Sequence, residues 1–183
     1  MQNDVIMAGF GGQGILLIGK MLAYAGMHEG KEVSWLPSYG PEMRGGTANC
    51  TVVISDRPVG SPVIRSPRVV VAMNLPSLDK FESDVRPGGV LLINTSLINR
   101  PSTRDDITVI EVPANQIANE LGNPRGANMV ALGAYLGATN AVSVDGVIEV
   151  IRQTFAAKPG VIDVNITALE KGYEIGAAHA VGA

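Results

Sequence analysis

The sequence predicts a single α/β domain, a three-layer α/β/α arrangement of Rossmann-like type around a mostly parallel sheet. Strand-like runs alternate with helix-like segments over the first two-thirds of the chain, which is typical of a parallel sheet covered by helices on both faces. The first strand-like run leads into a glycine-rich turn that opens a helix. The chain has 183 residues, enough for one sizeable core and too few for two, so residues 1–183 are assigned to one domain.

The amino-terminal quarter predicts two strands around one helix. Residues 4–8 are an apolar run ending at glycines, as in a buried parallel strand, and residues 13–29 carry apolar side chains at helical spacing. Residues 33–36 predict a second strand, which we expect to stop at Pro37 because proline cannot donate to a strand ladder. Residues 37–46 contain three glycines and two prolines and are expected to form a loop.

The remaining chain predicts four more strands and five more helices. The strands are expected at residues 47–55, 68–73, 90–94 and 108–112. The helices are expected at residues 77–84, 113–121, 127–139, 144–157 and 161–180, and the last is amphipathic. Small residues line one side of helix 127–139, which favours close packing in the core and leaves a subunit interface as the alternative.

Composition excludes several classes of function. A net charge of −3 gives no basic field that would attract nucleic acid or anionic lipid. The amino terminus lacks the pattern of a signal peptide, and no apolar stretch reaches the length of a membrane span, so we expect a cytoplasmic protein. The charged fraction is only 17%, which suggests a surface partly covered by partner proteins.

The cysteine and histidine content predicts no metal site. Cys50 is the single cysteine, which excludes an internal disulfide and a self-contained iron–sulfur cluster. It lies in a predicted strand and is expected to be a buried, inert thiol. His28 and His179 are too far apart in sequence to indicate a metal site.

The first candidate site is the glycine-rich turn at residues 9–14. Its glycines follow the G-x-G-x-x-G pattern between a strand and a helix, where free amides at the helix start face an anion. The acidic residue that binds ribose in dinucleotide sites is missing after the second strand, so an NAD site is poorly supported. A phosphate contact and a merely tight strand–helix junction remain open. The candidate ligand-binding residues are Gly9, Gly11, Gly12, Gln13 and Gly14.

The second candidate site is the loop after the second strand. In a parallel sheet this loop lies on the same edge as the first, and it brings Tyr39, Glu42 and Arg44 close together. Arg44 is suited to a two-pronged contact with phosphate or carboxylate, and Glu42 to orienting it or to acid–base work, which makes both candidate catalytic residues. An exposed, solvated ion pair is the alternative. Two weaker candidates are the strand end at 94–96 and the helix start at 123–129, which is interpreted as a cap or subunit contact.

Three sequence stretches together resemble one family. They are Gly-Phe-Gly-Gly-Gln-Gly at 9–14, Tyr-Gly-Pro-Glu-Met-Arg-Gly-Gly-Thr at 39–47 and Pro-Gly-Gly-Val-Leu-Leu-Ile-Asn at 87–94. The chain is similar over nearly its whole length to the gamma subunit of 2-oxoacid:ferredoxin oxidoreductases, and closest to the 2-oxoglutarate and branched-chain 2-oxoacid types. These enzymes decarboxylate a 2-oxoacid, pass electrons to ferredoxin and leave the acyl group on coenzyme A.

The resemblance implies a subunit without activity of its own. It implies that this domain covers the active site and helps to bind coenzyme A, with 2-oxoglutarate as the expected substrate. Thiamine diphosphate and iron–sulfur clusters are implied on the partners, which are alpha, beta and ferredoxin-like delta subunits. Residues 11–14 would then face a phosphate, and Tyr39, Glu42 and Arg44 the shared active site or a neighbouring subunit.

Three other interpretations stay open. The chain also resembles the corresponding domain of indolepyruvate ferredoxin oxidoreductase, whose second loop usually reads differently. A stand-alone nucleotide-binding enzyme is disfavoured by the missing acidic residue, and a purely structural assembly subunit is not distinguished by sequence. In isolation the chain is expected to be able to self-associate through apolar surface meant for its partners.

Overall fold

A computed structural model of the chain describes residues 2–39 and 47–180. The six strands are β1 Gln2–Phe10, β2 Glu32–Tyr39, β3 Thr47–Ser55, β4 Val69–Ala72, β5 Val90–Asn94 and β6 Thr108–Val112. The six α-helices are α1 Ile15–His28, α2 Leu75–Phe81, α3 Ala114–Glu120, α4 Ala127–Thr139, α5 Val144–Thr154 and α6 Ile162–Ala177. Short 3₁₀ turns at Glu82–Asp84, Pro124–Gly126 and Pro159–Val161 follow α2 and precede α4 and α6.

The strands form one sheet in the order β2-β3-β1-β4-β5-β6. β1, β4, β5 and β6 are parallel neighbours, which confirms the predicted α/β fold with a mostly parallel sheet. The exception to parallel pairing is β3, which pairs antiparallel with both β1 and β2. Only residues 40–46 join β2 to β3, and this is too short for the crossover of a dozen or more residues that a parallel pairing needs.

The second strand is longer than the sequence predicts. We expected it to stop at Pro37, and that expectation was wrong, because β2 continues through Pro37 to Tyr39. β2 lies at the edge of the sheet and pairs with β3 alone. An edge strand tolerates a proline whose missing N–H would point away from the neighbouring strand.

Helices cover the two faces of the sheet unequally. α1, α4, α5 and α6 bury the first face in a large core that includes Val5, Met7, Leu22 and Tyr135. On the second face a smaller core joins Leu78 and Phe81 of the α2 segment to apolar side chains of β1, β4 and β5. The molecule therefore has the predicted three layers, with the thinner layer above the middle of the sheet.

α4 and α6 pack in direct backbone contact. Every residue of α4 is buried, and Gly133 and Gly137 face the backbone of α6 while Gly172 and Gly176 face that of α4. A Cβ at Gly133 would collide with the carbonyl oxygen of Leu169. The small-residue side of α4 is therefore core, as expected, and it faces another helix of the same chain.

A buried carboxylate fixes the segment between β5 and β6. Glu82 accepts hydrogen bonds from the Ser102 hydroxyl at 2.7 Å, the Thr103 amide at 2.7 Å and the Arg100 guanidinium at 3.0 Å. Burial alone would raise the pKa of Glu82, but these hydrogen bonds outweigh burial and lower that pKa below its ordinary value. Glu82 thereby ties residues 100–103 to the end of α2.

The described helices include none that combines the length and the apolar character required to cross a membrane.

Candidate functional site

The glycine loop leaves β1 at Phe10 and turns into α1 through two glycines with left-handed backbone. Gly12 has φ +96° and Gly14, the residue before α1, has φ +72°. Residues with a side chain rarely adopt such positive φ angles, so the turn depends on glycine at both positions. A Cβ at Gly12 would meet no atom within 4 Å, so the backbone at this point is open to an approaching ligand.

The side chain of Gln13 points back toward the sheet. Its Oε1 accepts the amide of Phe10 at 2.6 Å and its Nε2 donates to the carbonyl of Met73 at 3.4 Å. A Cβ at Gly9 would lie 2.5 Å from the same Oε1, so Gly9 leaves space for this contact. Gln13 and Gly9 thus shape the loop from within, and the Gln13 backbone amide is also used inside the turn, where it donates to the carbonyl of Phe10 at 3.1 Å.

The start of α1 suits an anion. The helix has no side-chain cap and no acidic residue in its first turn. The first amide groups of a helix lack intrahelical acceptors, and the helix dipole places partial positive charge beside them. The first turn of α1 therefore offers hydrogen-bond donors without a competing negative side chain.

A cavity of about 460 Å³ opens beside this turn. Gly12 and Gly14 form one wall, and Asn128 at the start of α4 and Arg125 in the 3₁₀ turn before it form another. Lys158, an exposed residue next to the 3₁₀ turn that precedes α6, also lines the cavity. Among the described residues that line this cavity, two are cations and none is a carboxylate, so its charge matches an anionic ligand.

The rest of the cavity wall is uncharged. Leu17, Met129, Phe155 and Val161 contribute apolar surface, and Asn123 and Asn165 are joined by a 3.1 Å hydrogen bond. A cavity with an apolar wall and a few polar groups at one end is the usual form of a small-molecule site. We call this space the glycine-loop pocket.

The pocket contains residues that the sequence alone did not identify as a site. The sequence of residues 123–129 predicts a cap or subunit contact, and no sequence pattern marks Lys158. Arg125 and Lys158 line the same cavity as the glycine loop although they come from distant parts of the sequence, before α4 and α6, and these two helices pack against each other. No local motif marks them, and a cation beside a helix start was the only available signal.

The described residues at both ends of the second candidate loop lie beside the glycine loop. Thr47, where β3 begins, pairs with Phe10 at the end of β1, and Tyr39 at the end of β2 pairs with Ala48. Both ends therefore sit at the edge where the glycine loop leaves the sheet. Glu42 and Arg44 lie outside the described residues, so their role as catalytic candidates stays a prediction, as does that of the Tyr39 side chain.

The weaker candidate at the end of β5 serves the fold. Asn94 donates to the carbonyl of Met73 at 3.1 Å and to Asn115 at 2.8 Å, and its Oδ1 accepts the amide of Ala114 at 3.1 Å. These bonds connect β4, β5 and the start of α3. Asn94 therefore has a structural role, because its hydrogen bonds organise the turn after β5.

Cys50 is fully buried on the first face of the sheet. Burial raises the pKa of its thiol to about 12, while Trp35 acts in the opposite direction. The thiol is therefore protonated at neutral pH and closed to solvent, as expected. In the described part of the chain, no group of three or more histidine, cysteine, aspartate or glutamate side chains is placed to hold a metal ion.

Comparison with known protein families gives one match that covers nearly the whole chain. The model of the family "Pyruvate ferredoxin/flavodoxin oxidoreductase" matches residues 4–175.

Curated relatives fall into two length classes. "Ketoisovalerate oxidoreductase subunit VorA" of Methanothermobacter marburgensis is 47% identical over 173 residues, covering 92% of this chain and 35% of that protein. "2-oxoglutarate synthase subunit KorC" of Methanocaldococcus jannaschii is 36% identical over 178 residues, covering 96% of this chain and 94% of that protein. The chain thus spans about a third of the VorA relatives and nearly all of the KorC relative.

Two solved structures have the same fold. "2-oxoglutarate:ferredoxin oxidoreductase from Magnetococcus marinus with 2-oxoglutarate, coenzyme A and succinyl-CoA bound" superposes with a TM-score of 0.90 at 27% identity, covering 97% of this chain and 31% of that one. The "keto/oxoacid ferredoxin oxidoreductase, gamma subunit from Geobacter sulfurreducens" superposes with a TM-score of 0.86 at 28% identity, covering 98% of both chains.

Proposed function

Because the chain belongs to the pyruvate ferredoxin/flavodoxin oxidoreductase family, we propose that it is a gamma-type subunit of a 2-oxoacid:ferredoxin oxidoreductase. The subunit has no activity alone. Within its complex it takes part in the oxidative decarboxylation of a 2-oxoacid to an acyl-CoA, with electrons passed to ferredoxin. Near-complete coverage of the KorC relative and of the gamma subunit from Geobacter supports this role.

We propose that the glycine-loop pocket holds the phosphate-bearing part of coenzyme A. The observation that carries this is the pairing of an open glycine backbone at Gly12 with two cations, Arg125 and Lys158, around a cavity without a described carboxylate. Phosphates bind helix starts and basic side chains through charge-assisted hydrogen bonds. Met129 and Phe155 offer apolar surface to the uncharged part of the ligand. The related Magnetococcus structure contains coenzyme A, which supports this choice of ligand.

The second loop has a separate proposed role. Its described ends lie beside the glycine loop, so we propose that Tyr39, Glu42 and Arg44 face the shared active site or a neighbouring subunit. Thiamine diphosphate and the iron–sulfur clusters lie on the alpha, beta and ferredoxin-like delta partners. The gamma subunit then covers the reaction centre and contributes to the coenzyme A site.

The substrate proposed first is 2-oxoglutarate, as the sequence suggested and as the KorC names support. One observation favours a second candidate, a branched-chain 2-oxoacid such as 2-oxoisovalerate. The VorA relative is 47% identical to this chain, whereas the KorC relative is 36% identical. We propose that most substrate contacts lie on partner subunits. The substrate preference of the assembled complex therefore distinguishes 2-oxoglutarate from a branched-chain 2-oxoacid.

Co-expression with partner subunits tests the proposed function. The assay is viologen reduction that depends on both a 2-oxoacid and coenzyme A, measured for each component alone and for the mixture. We expect activity only when this chain is present, and a panel of 2-oxoglutarate, 2-oxoisovalerate, pyruvate and indolepyruvate identifies the substrate. Full activity of the partners without this chain would contradict the proposal and favour a purely structural role.

A further inference from the structure

The second face of the sheet is incompletely covered. Ile6 of β1 belongs to the core beneath α2, and strand pairing places Leu36 and Thr51 on the same face as Ile6. Alternation along each strand extends this set toward the glycine-loop edge. We call the outer part of this face, whose side chains are exposed or only partly buried, the open sheet face; it comprises Phe10, Ser34, Leu36, Ser38, Asn49 and Thr51.

The open sheet face carries no charge. Its six side chains are two apolar groups, three hydroxyls and one amide, and Leu36 and Phe10 are 39% and 38% exposed. Within the described residues, the polar side chains of Ser34, Asn49 and Thr51 make no hydrogen bond to the chain itself. Interface centres are depleted of charged residues and enriched in aromatic ones, and this surface shares those two features through its lack of charge and through Phe10.

The edge strand β2, which carries half of the open sheet face, favours a partner that packs on the face over one that adds a strand to the edge. β2 has eight residues and only one charged side chain, Glu32, so it lacks the lysines that commonly protect exposed edges. Pro37 nevertheless removes one amide donor from the edge, which interrupts a continuous ladder with another strand. A partner that packs on the face avoids this interruption.

The relatives indicate what covers the face. This domain is nearly the whole of the KorC relative but only 35% of the VorA relative and 31% of the Magnetococcus chain. In the longer proteins about two-thirds of the polypeptide is therefore joined covalently to this domain. In the shorter ones the same unit needs a non-covalent contact with whatever corresponds to that remainder.

We propose that the open sheet face is the docking surface for the subunit that corresponds to the remaining two-thirds of the longer relatives. The inference rests on the proposed function and adds the location of the contact. The partner presents an uncharged surface of apolar and hydroxyl-bearing side chains, because a charged one would lose its hydration against Leu36 and Phe10 without gaining an ion pair. The contact lies beside the glycine loop, which places the coenzyme A pocket near the joint between the two subunits.

The test uses this chain co-expressed with affinity-tagged partner subunits. Leu36→Glu places a charge in the middle of the face, and Met27→Glu on α1 is the matched control, since Met27 is 58% exposed and lies on the opposite side of the sheet. We expect Leu36→Glu to weaken association with the partners at least tenfold, and Met27→Glu to leave it unchanged. Ser38→Arg, at an exposed position of the same face, provides a second variant in case Leu36→Glu does not fold.

The outcomes separate this inference from the proposed function. If the wild-type chain associates with no partner subunit, the proposed function fails and the docking surface with it. If the wild-type chain associates and both Leu36→Glu and Ser38→Arg associate equally well, the docking surface is wrong and the proposed function stands. If the variants abolish only self-association of the isolated chain, the face belongs to a second copy, which also overturns the inference.

Discussion

The side-chain amide of Asn128 donates a hydrogen bond to the carbonyl oxygen of Gly14 at 3.3 Å, although the residues are 114 positions apart. Asn128 is buried at the start of α4, and Gly14 immediately precedes α1. The contact joins the two walls of the glycine-loop pocket. It also explains why Gly14 must be glycine, since a Cβ at this position would collide with the Asn128 amide nitrogen.

Gly14→Ala is expected to destabilise the chain more than Gly30→Ala. Both glycines have φ +72°, and an alanine in this region costs about 1–2 kcal/mol. Only Gly14 also faces a collision, which adds about 1–3 kcal/mol, whereas a Cβ at Gly30 meets nothing within 4 Å. Urea denaturation of the two variants measures the difference, and equal loss of stability would show that Asn128 does not confine the loop.

Because α4 and α6 pack in direct backbone contact, we expect substitution of the glycines between them to destabilise the fold strongly. Gly172→Ala would drive a methyl group into the carbonyl oxygen of Val130, which no side-chain rotation can relieve. We expect a loss of about 3 kcal/mol or more, at or above the upper end of ordinary overpacking. Gly160→Ala is the control, since it sits in open space without a left-handed backbone. Thermal unfolding should show a large drop in Tm for the first variant and little change for the second.

Glu82→Gln tests the carboxylate beneath residues 100–103. Losing the charge-assisted bonds to Arg100, Ser102 and Thr103 is expected to cost about 1–3 kcal/mol of unfolding free energy at neutral pH. Because the folded state lowers the pKa of Glu82, its contribution is present above the ordinary carboxyl pKa. It disappears as pH falls through the lowered value.

The difference in stability between wild type and Glu82→Gln should therefore shrink on acidification. Denaturation curves at several pH values measure it. Asp84→Asn, which changes an exposed carboxylate two residues away, serves as the control. A difference that stays constant down to low pH would contradict the assigned role of the Glu82 charge.

Cys50 is expected to resist thiol reagents in the folded chain. Its pKa is raised to about 12 by burial, so almost no thiolate exists at pH 8. In denaturant the single thiol should react rapidly, since its pKa returns to the ordinary range. Because the folded state disfavours ionisation, stability should also decline as pH rises above the unfolded thiol pKa toward 12. Rapid labelling of the native chain with a chromogenic disulfide would contradict this.

Local patterns were sufficient for most of the fold. Apolar runs identified all six strands, and helical spacing located α4 and α6 to within a few residues, because burial repeats along each element. The direction of β3 was not apparent from its side chains, since antiparallel and parallel strands can carry similar apolar runs. It followed from the short connection 40–46, a constraint on chain length.

Local sequence patterns predicted only part of the candidate site. The glycine loop has a local signature because its backbone angles demand glycine at Gly12 and Gly14. The cations Arg125 and Lys158 come from distant segments, before α4 and α6, and share a cavity with the loop only in the folded chain. Gln13 illustrates the opposite case, a motif residue whose side chain turned out to bind the loop and sheet backbone.

The affinity of the assembled complex for coenzyme A shows whether the glycine-loop pocket binds this ligand. The measurement is KM for coenzyme A, with saturating 2-oxoacid, in complexes that contain wild type, Arg125→Ala/Lys158→Ala or the control Arg86→Ala, an exposed cation on the α2 side. Each charge-assisted phosphate contact is worth about 1–3 kcal/mol. We therefore expect the KM for coenzyme A to rise at least tenfold in the double variant, with the control unchanged and assembly intact. An unchanged KM in a fully assembled double variant would contradict the claim that the glycine-loop pocket binds coenzyme A.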